Sequence, residues 1–243
     1  MQTWGLTDQG NIREQNQDSY AIVPFGRDRV LMIVCDGMGG AKSGNVASAL
    51  AVEVFTDEVR RTQKSAMTAE KAARMLRGAL ELANRAVYEQ SQLSEDFTGM
   101  GTTLVAAWLS RDLAVIVNVG DSRAYHFTKE DVSLVTRDHS MVAYMVERGE
   151  LTQEQAKLHP GKNVITRAVG TEPEVEGDIF ICKLRKDECL LLCSDGLSNE
   201  MADQEMLFEV VHGINKSDCC QRLLHIAKKR GAPDNVTVAL AVV

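Results

Sequence analysis

The stretch RVLMIVCDGMGG (29–40) runs apolar without alternation, then stops at an aspartate and three glycines within five residues. A run that is hydrophobic on both faces predicts a strand covered on both sides, by a second sheet or by helices, not one with a solvated face. The stop has two readings. Asp-Gly forms hairpin turns, because glycine takes up positive φ at no steric cost. It equally suits a place where backbone comes close to a ligand and a carboxylate is aimed at a cation. The segment ECLLLCS (188–194) repeats the doubly apolar pattern and is again followed by Asp-Gly, at Asp195.

Working outward, β-type runs TWGLT and SYAIVPF precede this strand, and two helical segments follow it, at 43–61 and 68–90. The second places Ala72, Leu76, Leu80, Ala83 and Val87 on one face, with Thr68 able to cap its start. Strands return at TTLVAAWL, LAVIVNVG and SRAYHF, the last two parted only by Asp121. A mixed excursion over 136–170 carries one helical pattern, MVAYMVERG. GDIFICKL and ECLLLCS are strands, 204–212 and 217–229 helices, and NVTVALAVV a final strand. Short turns between most strands require antiparallel sheets, and helices arriving in pairs argue against a doubly wound parallel sheet. The expectation is an α+β fold, a central sandwich of two antiparallel β-sheets flanked by pairs of antiparallel helices, four layers in α-β-β-α order. We expect a single domain over 1–243.

Composition narrows the function classes. With 44% hydrophobic residues, 25% charged residues and 4 prolines, the chain reads as folded and globular. Acidic residues outnumber basic ones 34 to 27, a net charge of -7, which repels nucleic acid and anionic membrane. No stretch has the apolar length of a membrane span, and MQTWGLTDQG lacks the regions of a signal peptide, so a cytoplasmic location is expected. Six cysteines without a C-x-x-C read as buried, reduced thiols.

Asp36, Asp121, Asp195 and Asp234 each follow an apolar run and stand beside Gly, Ser or Asn, whereas Asp18 precedes a strand. Singly, each is a turn residue. Together they predict acids converging on one sheet edge, where repulsion calls for hard divalent cations with oxygen ligands. The five histidines have no paired spacing that suits zinc, so oxygen-only ligation points to magnesium or manganese. Other phosphate chemistries fail. No cysteine is followed by arginine at C-x5-R spacing, and a phosphate-binding G-x-x-x-x-G-K-S/T loop would need glycine at Asp36 and Ala41. There is no G-x-S-x-G elbow.

The ordered blocks GLTDQGNIREQNQDSY, DGMGG, GMGTTL, VGDSRAY, RDHS, SDGL and PDNVTV resemble the metal-dependent protein phosphatase (PPM) family, the type 2C serine/threonine phosphatases of bacterial form. The resemblance implies that Asp36 bridges two Mn2+ or Mg2+ ions, one held also by Asp195 and Asp234, the other by Asp18 and the Gly37 carbonyl. A third ion is implied at Asp121 with Asp195. Arg13, in R-x-x-N-x-D with Asp18, matches the arginine that grips substrate phosphate, and 138–170 matches a mobile flap. The implied reaction is hydrolysis of phosphoserine and phosphothreonine by a hydroxide bridging cations about 3.5–4 Å apart. Asp36 and Arg13 are its catalytic residues. Phosphorylated proteins and a cognate serine/threonine kinase are the implied partners of a monomer. Ala41 and Asn45 stand where many bacterial members carry His and Glu, and Met38 follows Asp-Gly, as is common in bacterial members. Ala41 and Asn45 motivate an alternative, a metal-binding regulatory module with little catalytic activity. His139 lies in the flap segment, where a structural hydrogen-bonding role is preferred to proton donation.

Overall fold

In the computed structural model, which describes residues 1–39 and 43–243, the chain begins with strands β1 (Gln2–Asp8), β2 (Asp18–Pro24) and β3 (Arg29–Met38). Helices α1 (Gly44–Thr62) and α2 (Ala69–Ser91) follow, then β4 (Gly101–Thr102), β5 (Leu104–Ser110), β6 (Leu113–Val119), β7 (Arg123–Phe127) and β8 (Val132–Leu134). Short helices α3 (Met141–Glu147) and α4 (Gln153–Leu158) precede β9 (Asp178–Lys183) and β10 (Cys189–Cys193). The remainder is α5 (Asp195–Ser198), α6 (Asp203–Leu207), α7 (Cys219–Lys229) and β11 (Val236–Val242). One sheet runs β1-β11-β10-β7-β8 and the other β2-β3-β5-β6-β9, with β4 added to β3, and all pairs are antiparallel.

The doubly apolar strands explain the layering. Because side chains alternate along a strand, β3 sends Leu31, Ile33 and Cys35 to one face and Val30, Met32 and Val34 to the other. The first set packs with Phe55 of α1, Leu76 of α2 and Trp108. The second meets Leu190, Leu192, Ala239 and Ala241 of the opposite sheet. Across that interface Cys189, Leu191 and Cys193 of β10 turn outward to Leu197, Leu223 and Leu224. Three apolar layers therefore separate four layers of structure, as expected from the sequence. The α2 stripe of Ala72, Leu76, Leu80, Ala83 and Val87 is fully buried, and Thr68 Oγ1 accepts the Lys71 N–H at 3.4 Å.

Several expectations needed revision. The helix expected at 204–212 is α6 followed by a π-helical turn, Phe208–His212, and the one at 217–229 starts as a 3-10 turn, Lys216–Asp218. The excursion at 136–170 holds two helices instead of one: α4 starts at a capping box of Thr152 and Gln155, a local polar signal that hydrophobic periodicity misses. TTLVAAWL is interrupted at Thr103. The turn before β7 is three residues, Gly120–Ser122, and not Asp121 alone. All six cysteines are free, and among the described residues no helix is long and apolar enough to cross a membrane. Ala41 lies outside the described residues.

Phe55 is fully buried between α1 and the sheet. Phe55→Ala is expected to cost about 3–5 kcal/mol in urea denaturation; a loss below about 1 kcal/mol would contradict this packing.

Candidate active site

Five strand ends meet at one pole of the sandwich. Asp18 opens β2 and Asp36 lies near the end of β3, directly opposite one another in the antiparallel register. Asp121 occupies the β6–β7 turn, Asp195 the first position of α5 after β10, and Asp234 the approach to β11. Like charges facing across a strand pair destabilise it unless something offsets them.

Each carboxylate is held differently. Asp18 Oδ2 accepts hydrogen bonds from Ser194 Oγ (2.8 Å) and Thr237 Oγ1 (2.6 Å), both on the opposite sheet side of the sandwich. Asp195 Oδ2 accepts from Asn199 Nδ2 at 3.0 Å. Asp18 Oδ1 and Asp195 Oδ1 are buried and have no hydrogen-bond partner among the described residues. Asp234 Oδ2 accepts from Arg13 Nη2 at 2.6 Å and its Oδ1 from the Asn235 N–H at 2.9 Å. Gly37 donates its N–H to Gln17 O at 3.1 Å. A Cβ on Gly37 would stand 2.0 Å from Gly44 O, so only glycine lets α1 start this close to β3.

Burial and mutual repulsion dominate the electrostatics. Desolvation, then the charges of Asp18, Asp195, Asp121 and Asp234, holds the Asp36 carboxyl well above the usual carboxylate range. Burial, reinforced by Asp195 and Asp234, pushes Asp18 up to about 7. Burial with Asp195 and Asp138 brings Asp121 to about 7, and burial with Asp234 brings Asp195 to about 6. The Arg13 guanidinium is held protonated more firmly than usual by its bond to Asp234 and by the charges of Asp36 and Asp195. The predicted acids and Arg13 are thus brought together. They share a pole and not a closed cage, since among the described residues no three His, Cys, Asp or Glu side chains form a ready ligand group.

Arg123, Asp138, Ser194, Asn199 and Thr237, also at this pole, were not singled out from sequence. Asp138 receives Arg123 through Nε (2.9 Å to Oδ1) and Nη2 (2.6 Å to Oδ2), which sets a half-neutralised acid beside Asp121. Ser194, Thr237 and Asn199 act as donors to the acids; in sequence they show only as neighbours within SDGLSN and PDNVTV. His139 is buried: its Nδ1 accepts the Gly120 N–H at 3.1 Å, and its Nε2 faces Asp178 Oδ2 at 3.4 Å. Burial and Arg167 lower its pKa, so the ring is a neutral clasp for the Asp121 turn. Met38 pairs with Gly101, and Asn45 is exposed in the first turn of α1.

A two-sheet sandwich with acids at one pole is the architecture of type 2C phosphatases. Residues 11–230 match the family model described as Protein phosphatase 2C, and the chain belongs to that family. Serine/threonine phosphatase stp of Listeria welshimeri is 37% identical over 234 residues, 96% of this chain and 92% of that protein. The crystal structure of serine/threonine phosphatase Stp1 from Staphylococcus aureus shares 35% identity at a TM-score of 0.92, covering 99% of this chain and 94% of that one. The catalytic domain of serine threonine protein phosphatase PstP, solved with two manganese ions, gives a TM-score of 0.85 at 31% identity over 99% of this chain and 97% of that one. The chain is an enzyme, a protein phosphatase of the metal-dependent type 2C family, and the regulatory-module alternative gives way.

Asp18, Asp121 and Asp195 have folded-state pKa values above their unfolded ones. Their contribution to stability is fully present below the unfolded value of about 4 and is lost as pH rises through about 6 to 7. In chelating buffer Asp121→Asn is therefore expected to show a smaller fall in Tm between about pH 5 and about pH 7 than the wild type. Parallel curves would contradict the assignment.

Proposed function

We propose that this chain hydrolyses phosphoserine and phosphothreonine in proteins at the acidic pole, with Asp36 bridging two divalent cations, Mn2+ or Mg2+. One observation carries the reading: Asp36 faces Asp18 across β2 and β3, at the pole where Asp121, Asp195 and Asp234 also stand at strand ends. The residues suit a cation pair. Asp18 Oδ1 and Asp195 Oδ1 are buried oxygens without a hydrogen-bond partner among the described residues, and the acidic donors are hard oxygens. Asp195 and Asp234 would complete one position, Asp18 and the Gly37 carbonyl the other, and Asp121 with Asp195 a third. The two manganese ions of the PstP structure support the pair.

Such a pair, when bound, brings the pKa of water toward neutrality and offsets the charge of a phosphoryl group. The protein's own residues do the rest. Ser194 and Thr237 fix the Asp18 carboxylate, and Asn199 orients Asp195. Arg13, poised over the pole by Asp234 and half-exposed, offers paired donors to phosphoryl oxygens as charge shifts to them in the transition state. His139, with both ring nitrogens engaged, holds the Asp121 turn and moves no proton.

We read 1–243 as one catalytic domain with 138–170 as a flap beside the site. The chain acts as a cytoplasmic monomer opposing a serine/threonine kinase, a setting that its free thiols support. Phosphate release from phosphothreonine peptides with Mn2+ tests the reading. Asp36→Asn is expected to fall to background, and Arg13→Ala to lose about 10²–10³-fold in kcat/KM. Undiminished turnover by Asp36→Asn would overturn it.

A further inference from the structure

We propose that Thr103 is a positioning residue that fixes the spacing between Asp36 and Asp121, an inference that rests on the phosphatase reading above. The β3 register is continuous from Val34 opposite Val105 to Gly37 opposite Thr102, so Thr103 stands opposite Asp36. Half of the expected ladder is present there: the Thr103 N–H donates to Asp36 O at 2.9 Å. The other half is replaced. The Asp36 N–H donates to Thr103 Oγ1 at 2.9 Å, and Thr102 Oγ1 donates to Asp36 O at 2.8 Å and to Thr103 O at 3.0 Å. Two buried hydroxyls therefore set the peptide groups on both sides of the Asp36 side chain, and this substitution is what interrupts the strand between β4 and β5.

The same hydroxyl reaches the second acid. Thr103 Oγ1 lies 2.6 Å from Ser122 Oγ, next to Asp121, and all three of Thr102, Thr103 and Ser122 are buried. The Asp121 turn also packs on the Thr103 side chain: a Cβ on Gly120, whose φ is +98°, would meet Thr103 Cγ2 at 2.7 Å. Thr103 is thus in contact with the backbone of one acid and with the turn that carries the other. Thr103 is buried beneath the pole, so its effect passes through the placement of the carboxylates. Valine fills the same space without the hydroxyl and leaves the buried Asp36 N–H unpaired, whereas serine keeps the hydroxyl.

The test is Mn2+ affinity of the full chain, measured by calorimetry or electron paramagnetic resonance beside Tm in chelator. Thr103→Val is expected to weaken Mn2+ binding about 10- to 100-fold, and Thr103→Ser to restore it to within about threefold of wild type. A Thr103→Val protein that loses Tm yet binds Mn2+ like wild type overturns the inference, since a merely structural role would do that. Should Thr103→Val fail to fold, Ser122→Ala decides: weakened Mn2+ binding supports the coupling and unchanged affinity overturns it. A wild type that binds no Mn2+ overturns the functional reading itself, a result distinct from failure of the role given to Thr103.

Discussion

Repulsion among carboxylates withdrawn from water is the constraint on which the rest of this structure depends. The central strands β3, β5, β6, β10 and β11 are almost wholly buried, so charged side chains stand at their ends. At one pole that leaves Asp18 across from Asp36, with Asp121, Asp195 and Asp234 arriving on neighbouring connections. Asp18, Asp36, Asp121 and Asp195 are displaced upward in pKa by burial and by their neighbours. Such a group costs stability unless something offsets its charge, as a bound cation would.

The way the acids are tolerated joins fold to function. Asp18 belongs to one sheet, and the hydroxyls of Ser194 and Thr237 that hold it belong to the other sheet's side, so one carboxylate fastens the two halves of the sandwich. Arg13 neutralises Asp234 from the β1–β2 connection, and Arg123 neutralises Asp138 beside Asp121. Asp18, Asp195 and Asp234 thus keep hydrogen-bond donors from the protein, while Asp18 and Asp195 retain one buried oxygen apiece with no hydrogen-bond partner among the described residues. Buried groups left in that state are costly, which is why their presence at a single place is informative.

Much of this was legible in the sequence, for physical reasons that can be named. The strands LMIVC and CLLLC are apolar at every position, which only burial on both faces explains, and the acids are marked by their position after such strands. What sequence does not carry is pairing across the chain. That Asp18 faces Asp36, or that Thr237 reaches Asp18 from 219 positions away, follows from strand register. Thr103 reads as one more β-branched strand residue until its hydroxyl is seen replacing a ladder bond. The second helix of the 136–170 segment was missed because its signal is a polar cap and not an apolar stripe. The π-helical turn at Phe208–His212 has the same hydrophobic spacing as the helix expected there.

The central claim is that the acids at this pole exist to hold divalent cations about Asp36. Crystals grown with Mn2+, with diffraction recorded on both sides of the manganese absorption edge, test it most directly. Two anomalous peaks are expected to flank the Asp36 carboxylate, one toward Asp195 and Asp234 and one toward Asp18 and Gly37. A map in which bound manganese lies away from Asp36, or in which Asp36 stays bare at saturating Mn2+, would contradict it.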